Sequence, residues 1–245
     1  MFVHHIRRAA LLAACLPMML ALPAVGADQT DSATFDISIR GFTAASLSIN
    51  GAVKGQGYAA SGVLKSAGLL GFLKKIRYDA DVTGRLVKGR YVPARYHEKA
   101  DTGKRQSDAL MAYKAGVPQL KAYSPPRARQ KGDIDPTSQG GTVDPLTALY
   151  AVLRDVPGTE ACRLRLFMFD GRRRSQVVLS TPRPEGETII CTGEYRRLEG
   201  FSEKEMAEKI RFPFTLIYQP SGPGMVHVSE VSMDTLYGKG RMIRR

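Results

Sequence analysis

The chain has 245 residues, with 36 Lys+Arg against 23 Asp+Glu, three cysteines and no tryptophan. That length can bury a full core, and an all-β architecture commonly uses roughly 200–250 residues as one domain. The sequence contains no His-x-x-x-His, no Cys-x-x-Cys, no Gly-x-Ser-x-Gly and no phosphate loop, which removes the usual signatures of metal, redox, hydrolase and nucleotide chemistry.

Arg7 and Arg8 precede an apolar run from Ala9 to Val25, and Val25-Gly26-Ala27 is a small-residue end. This is the layout of a secretory leader, so residues 1–27 are predicted to be a cleaved signal peptide and the protein to be periplasmic. An uncleaved anchor is the rival, but the run is interrupted by Pro17 and Pro23 and falls short of the ~20 residues a span needs. Leu12-Ala13-Ala14-Cys15 resembles a lipoprotein box, yet lipidation there would leave a mostly apolar mature N-terminus. Cleavage leaves no transmembrane segment and 218 residues carrying 34 basic and 23 acidic side chains. Such a balance suits an anionic envelope surface as partner; plain solubility explains it equally, and nothing points to nucleic acid.

Thr34 to Arg40 alternates apolar and polar residues, as a strand with one wet face does, and Leu47-Ser48-Ile49 repeats the pattern. Asn50-Gly51 predicts a hairpin, with Ala52-Val53-Lys54 returning. Gly55-Gln56-Gly57-Tyr58-Ala59-Ala60 fits a degenerate dinucleotide fingerprint, but Ser61, Gly62 and Gly68 interrupt the helix it would need, so the glycines read as turns and bulges of a twisted sheet. Ser66 to Lys75 is apolar and glycine-containing: either a loop tucked into the core or a lip whose Leu69, Leu70, Phe72 and Leu73 touch a lipid-like ligand. Strands resume with Ile76, Tyr78, Ala80 and Val82. Thr83-Gly84-Arg85 reads as a turn, and Leu86 to Tyr96 as a strand with Pro93 at an edge or bulge. Ala109 to Tyr123 supports one or two more strands broken at Gly116-Val117-Pro118. Residues 124–141 read as an exposed, basic, proline-rich loop between two sheet halves.

The best helix begins at Asp144, an N-cap, followed by Pro145 at the first helical position. Leu146, Leu149, Tyr150 and Leu153 form one apolar stripe, and Pro157 and Gly158 end the segment. Cys162 to Phe169 reads as a strand apolar on both faces, so it should have the helix on one side and a cavity or core on the other. Asp170-Gly171 predicts a second hairpin, followed by Arg172, Arg173 and Arg174. The strands Val177-Val178-Leu179 and Thr188 to Cys191 come next. Ser202 and Glu205 form a capping box for a short second helix, and Phe212 to Tyr218 and Met225 to Met233 are read as the closing strands.

In an exported chain an isolated Cys162 and Cys191 are most simply a disulfide. A plain meander would hold their strands ~10 Å apart, so the bond requires Cys162 in the irregular lead-in to its strand, or the third strand curled across.

Several patches recur together in a known order: Gly41, Gly68-Leu69 followed by Tyr78, Gly84, Pro93-x-x-Tyr96, Val143 to Leu149, Phe169-Asp170-Gly171-Arg172-Arg173, Cys191 with Tyr195, and Gly200-Phe201. They resemble the bacterial family catalogued as domain of unknown function 3108, over most of the chain beyond residue 27. The family carries no established catalytic residues to transfer. More distantly the order of elements is similar to periplasmic lipoprotein carriers and to disulfide-containing β-spiral envelope-integrity proteins, in which a curved sheet wraps a helix or an apolar cavity.

The resulting expectation is a mainly β chain: a highly curved antiparallel sheet, a half-open β-barrel or β-spiral, packed around one central α-helix with a second short helix. Residues 28–245 form its single domain. The function expected is non-enzymatic, with no catalytic residues, metal or cofactor: binding of a lipid or lipoprotein in envelope maintenance. The alternatives are a scaffold acting through its sheet edge and an enzyme at the barrel mouth. Expected ligand contacts are Leu69, Leu70, Phe72, Leu73, Leu146, Leu149, Tyr150 and Leu153, with Arg172 and Arg174 as a head-group site.

Overall fold

The computed structural model describes residues 28–68, 71, 75–130 and 132–245. The expected leader and the lip residues Leu69, Leu70, Phe72 and Leu73 lie outside the described residues.

Seven strands run first, each antiparallel to the last: β1 (Gln29–Ile39), β2 (Phe42–Lys54), β3 (Gly57–Ser66), β4 (Arg77–Val87), β5 (Arg90–Asp101), β6 (Gln106–Lys114) and β7 (Val117–Ser124). Helix α1 (Pro145–Leu153) follows. The second set is β8 (Val156–Pro157), β9 (Arg165–Phe169), β10 (Arg174–Leu179), β11 (Arg183–Glu185) and β12 (Thr188–Glu199), then α2 (Glu203–Glu208), β13 (Arg211–Gly222), β14 (Met225–Thr235) and β15 (Gly238–Arg244). The two sets join where the first strand meets the last, Phe35 opposite Arg244 through Ile39 opposite Gly240. The spatial order is β7-β6-β5-β4-β3-β2-β1-β15-β14-β13-β12-β10-β9, so the fold is mainly β, one large antiparallel sheet that is not closed. Strand β15 extends the sheet beyond the closing strands expected from the sequence.

Two expected turns are interior strand positions. β2 runs straight through Asn50-Gly51, and the chain reverses at Gly55-Gln56 instead. A Cβ on Gly51 would collide with the Tyr150 ring, so this glycine is bare backbone on which a helix side chain lies. Gly84 is likewise inside β4, where a Cβ would come within 2.5 Å of Tyr58 Cε1; the real turn is at Lys88-Gly89. Gly62 of β3 makes the same kind of room for Leu146, whose Cδ1 would stand 2.9 Å from a Cβ there. Pro93 does sit at a bulge, where the β4–β5 register shifts.

Cys162 and Cys191 are bonded, with Cα atoms 5.5 Å apart. Cys162 lies before β9 with φ +63°, in the irregular lead-in that the spacing argument required. Cys191 lies on β12 between the reach of β10, which ends opposite Gly193, and that of β11, which begins opposite Ile190.

The 124–141 connection is more docked than its composition suggests. The Gly141 amide donates to Gly116 O, Gln139 is only 2% exposed, and Val143 exchanges backbone hydrogen bonds with Phe167 and Phe169 of β9. It therefore crosses from the β7 edge to the β9 edge.

Candidate functional site

Helix α1 is apolar all round, and such a helix must be covered on more than one side. Its Asp144 cap accepts from the Thr147 amide at 2.8 Å and from the Thr147 hydroxyl at 2.7 Å. Leu146 and Tyr150 face the first set of strands, seated over Gly62 and Gly51. Tyr150 donates to Asp31 at 2.6 Å and stands edge-on to Tyr91, which stands edge-on to Tyr58. These contacts fasten the helix to one half of the sheet.

Its other face turns toward the second set of strands, which it meets at β9. Between them is a cleft of about 490 Å³, walled on the helix side by Pro145, Ala148, Leu149, Val152 and Leu153. The sheet side is formed by Ile37 and Ile39 of β1, Met242 of β15, Val231 and Met233 of β14, and Phe214 and Leu216 of β13, with Met168, Val177 and Tyr195 at the far wall. Among the described residues its polar lining residues are Tyr195, Thr235 and Arg241; the Thr235 hydroxyl donates to Gly238 O, and the Arg241 guanidinium is held by Glu230 at 2.7 Å. The volume falls within the ~300–1,000 Å³ of ordinary ligand sites.

Of the helix residues expected to bind ligand, Leu149 and Leu153 line this cleft, whereas Leu146 and Tyr150 are core on the opposite side. The stripe is split because the helix is sandwiched. Pro145, Ala148 and Val152 also line the cleft, outside the expected stripe; the signal for them in the sequence is that 145–153 is apolar on nearly every side. Strand β9 meets the helix and contributes Met168 to the cleft, while Arg165 and Leu166 line a separate, smaller pocket.

Arg172 and Arg174 do not reach the cleft. Arg172 donates through Nε to Asp133 at 2.9 Å, and Arg174 lies over the Phe167 ring and 3.9 Å from Glu199. Burial pushes Asp133 up, but the Gln130 amide, Arg172 and Arg127 together hold it below the usual carboxylate range. Both arginines thus have partners within the chain.

Beside the cleft is a buried polar chain. Tyr58 OH meets Thr147 Oγ1 at 2.8 Å, and Thr147 in turn donates to Asp144, which has no exposed surface. Burial pushes the Asp144 carboxyl up to about 6, although the Thr147 hydroxyl and amide oppose the rise. The arrangement caps the helix and fixes it to β3. Among the described residues there is no cluster of three or more metal-ligating side chains, and no helix is long and apolar enough to cross a membrane.

A solved structure described as a beta-barrel-like protein of domain of unknown function DUF1849 from Brucella abortus superposes with a TM-score of 0.48 at 12% identity, covering 88% of this chain and 95% of that one. No curated protein matches this chain in sequence. The family model described as protein of unknown function (DUF3108) matches residues 34–198, two-thirds of the sequence, and the chain belongs to that family.

Proposed function

We propose that this protein is an exported, periplasmic, non-enzymatic binding protein whose cleft takes an apolar, lipid-like ligand, either a free acyl chain or the acylated end of a lipoprotein, in the service of envelope maintenance. The observation that carries this reading is the apolar gap between α1 and strands β12–β15, open to solvent and lined by Leu149, Val152, Met233 and Met242. Apolar side chains left in contact with water gain ~25 cal/mol for each Å² that a ligand covers, which favours occupation by a greasy chain over an empty groove. Among the described residues the lining has no carboxylate, imidazole or thiol, which supports binding over catalysis. The leader-like residues 1–27 support export.

The test is displacement of a fluorescent fatty acid by the parent and by Leu149→Trp/Val152→Phe, which fills the gap without adding charge. The filled variant, folded by circular dichroism, should bind at least tenfold more weakly. Equal binding by the folded variant rejects the cleft as the site.

A further inference from the structure

One rim of the half-barrel collects exposed apolar surface at the mouth of the cleft. Phe42 opens β2 directly opposite Ile39, a lining residue, and Ile39 is itself opposite Gly240 of β15. The Arg40 amide donates to Lys239 O at 2.9 Å, so the β1–β2 and β14–β15 turns lie side by side. Lys209 joins them by donating from Nζ to Asp234 O at 2.6 Å, which brings Ile210 to the same rim. Among the described residues seven large apolar side chains are exposed, and four of them, Phe42, Ile210, Leu236 and Tyr237, belong here. Phe42 and Tyr237 are 70% and 71% exposed, the two highest values of the seven.

Single exposed apolar residues need no explanation, but four gathered on one rim at an apolar opening form a patch. The patch is flanked by Arg40, Lys209, Arg211 and Lys239, with Asp234 as the acid of the turn and Glu203 and Glu208 on the preceding α2. The whole chain has a formal charge of +13. Aromatic side chains beside Lys and Arg suit the head-group layer of a bilayer, where the ring is half-buried and the cation meets lipid phosphate.

We infer that this rim is a docking surface for an anionic phospholipid bilayer, with Phe42, Leu236 and Tyr237 entering the head-group layer and Arg40 and Lys239 facing lipid phosphates. In that pose the cleft mouth at Ile39, Thr235 and Gly240 opens toward the membrane. The docking surface stands on the rim alone and does not require that the cleft hold a ligand.

The test is co-sedimentation of the full chain with vesicles of phosphatidylglycerol and phosphatidylcholine, and of phosphatidylcholine alone; residues 1–27 are the same in every arm. The parent should partition onto the anionic vesicles. Phe42→Ser/Leu236→Ser/Tyr237→Ser should lower the partition coefficient roughly 10- to 100-fold. Arg40→Ser/Lys239→Ser should lower it roughly tenfold at low salt, a difference that high salt removes. Val87→Ser/Leu120→Ser changes exposed apolar residues away from the rim and should bind as the parent does. Leu149→Trp/Val152→Phe should also bind vesicles normally, so failure of the cleft reading and failure of this one are separable. The proposal is overturned if the rim variant keeps parental binding, if the Val87/Leu120 variant loses as much, or if anionic and neutral vesicles bind equally. It is also overturned if sedimentation shows that the rim serves instead to pair two copies of the chain, with no vesicle binding.

Discussion

The ring of Tyr150 lies on the bare backbone of Gly51, in a space that a Cβ would occupy. This contact decides how the helix sits, because it turns the Leu146/Tyr150 side toward β2 and β3 and leaves Leu149 and Val152 facing the cleft. Gly51→Ala should therefore cost ~1–3 kcal/mol, the usual penalty for overpacking a filled core. Urea unfolding of Gly51→Ala, Tyr150→Leu and the double variant tests the contact as a cycle. The second substitution should recover most of the cost of the first, and simple additivity would contradict the packing described.

Asp144 makes stability depend on pH. Its folded value of about 6 lies above the ordinary 3.8, so folding favours the protonated form. The contribution of this group is thus complete below about pH 4 and is lost as pH rises through about 6; a shift of that size corresponds to roughly 3 kcal/mol. Asp144→Asn can keep the cap and the hydrogen-bonded chain to Tyr58 by reversing the Thr147 hydroxyl. Its unfolding free energy relative to the parent should rise between pH 4 and pH 7.5. Parallel curves for the two proteins would show that the carboxyl is not held in the way described.

The disulfide closes a separation of 29 residues across the end of β12. Reduction, or Cys191→Ser, should lower stability by ~3–4 kcal/mol on a chain-entropy basis. Ligand binding should survive, because neither cysteine lines the cleft. Cys162 and Cys191 should be unreactive to thiol reagents until the denatured protein is reduced.

Arg172 and Asp133 tie the 124–141 connection to the β9–β10 hairpin. Arg172→Ser should free that connection locally, raising the rate of tryptic cleavage after Arg127 or Arg129 roughly tenfold with little change in global unfolding. Vesicle binding should be unaffected if Arg172 acts as a strap, and should fall if Arg172 and Arg174 hold a lipid head group.

Features set by near neighbours in the chain were legible in the sequence. The Asp144 cap, the Ser202/Glu205 capping box and the Asp170-Gly171 hairpin all involve residues within a turn of each other, and all are present. Gly51 and Gly84 resemble turn glycines locally, but their reason is tertiary: the rings of Tyr150 and Tyr58 occupy the space, and no local pattern reports that. Strand β15 joins the sheet through β1, at the other end of the chain, a pairing that no local pattern reports. The cleft was half legible. Leu149 and Leu153 were on the expected stripe, but the division of α1 into a seated face and an open face depends on the glycines beneath it.

The most direct measurement of the central claim is native mass spectrometry of the protein purified, without detergent, from the cells that make it. The account predicts a mass increment that extraction identifies as lipid or an acyl-bearing molecule, present on the parent and absent from Leu149→Trp/Val152→Phe. A folded parent that carries no such molecule and gains none when incubated with its own membranes would contradict it.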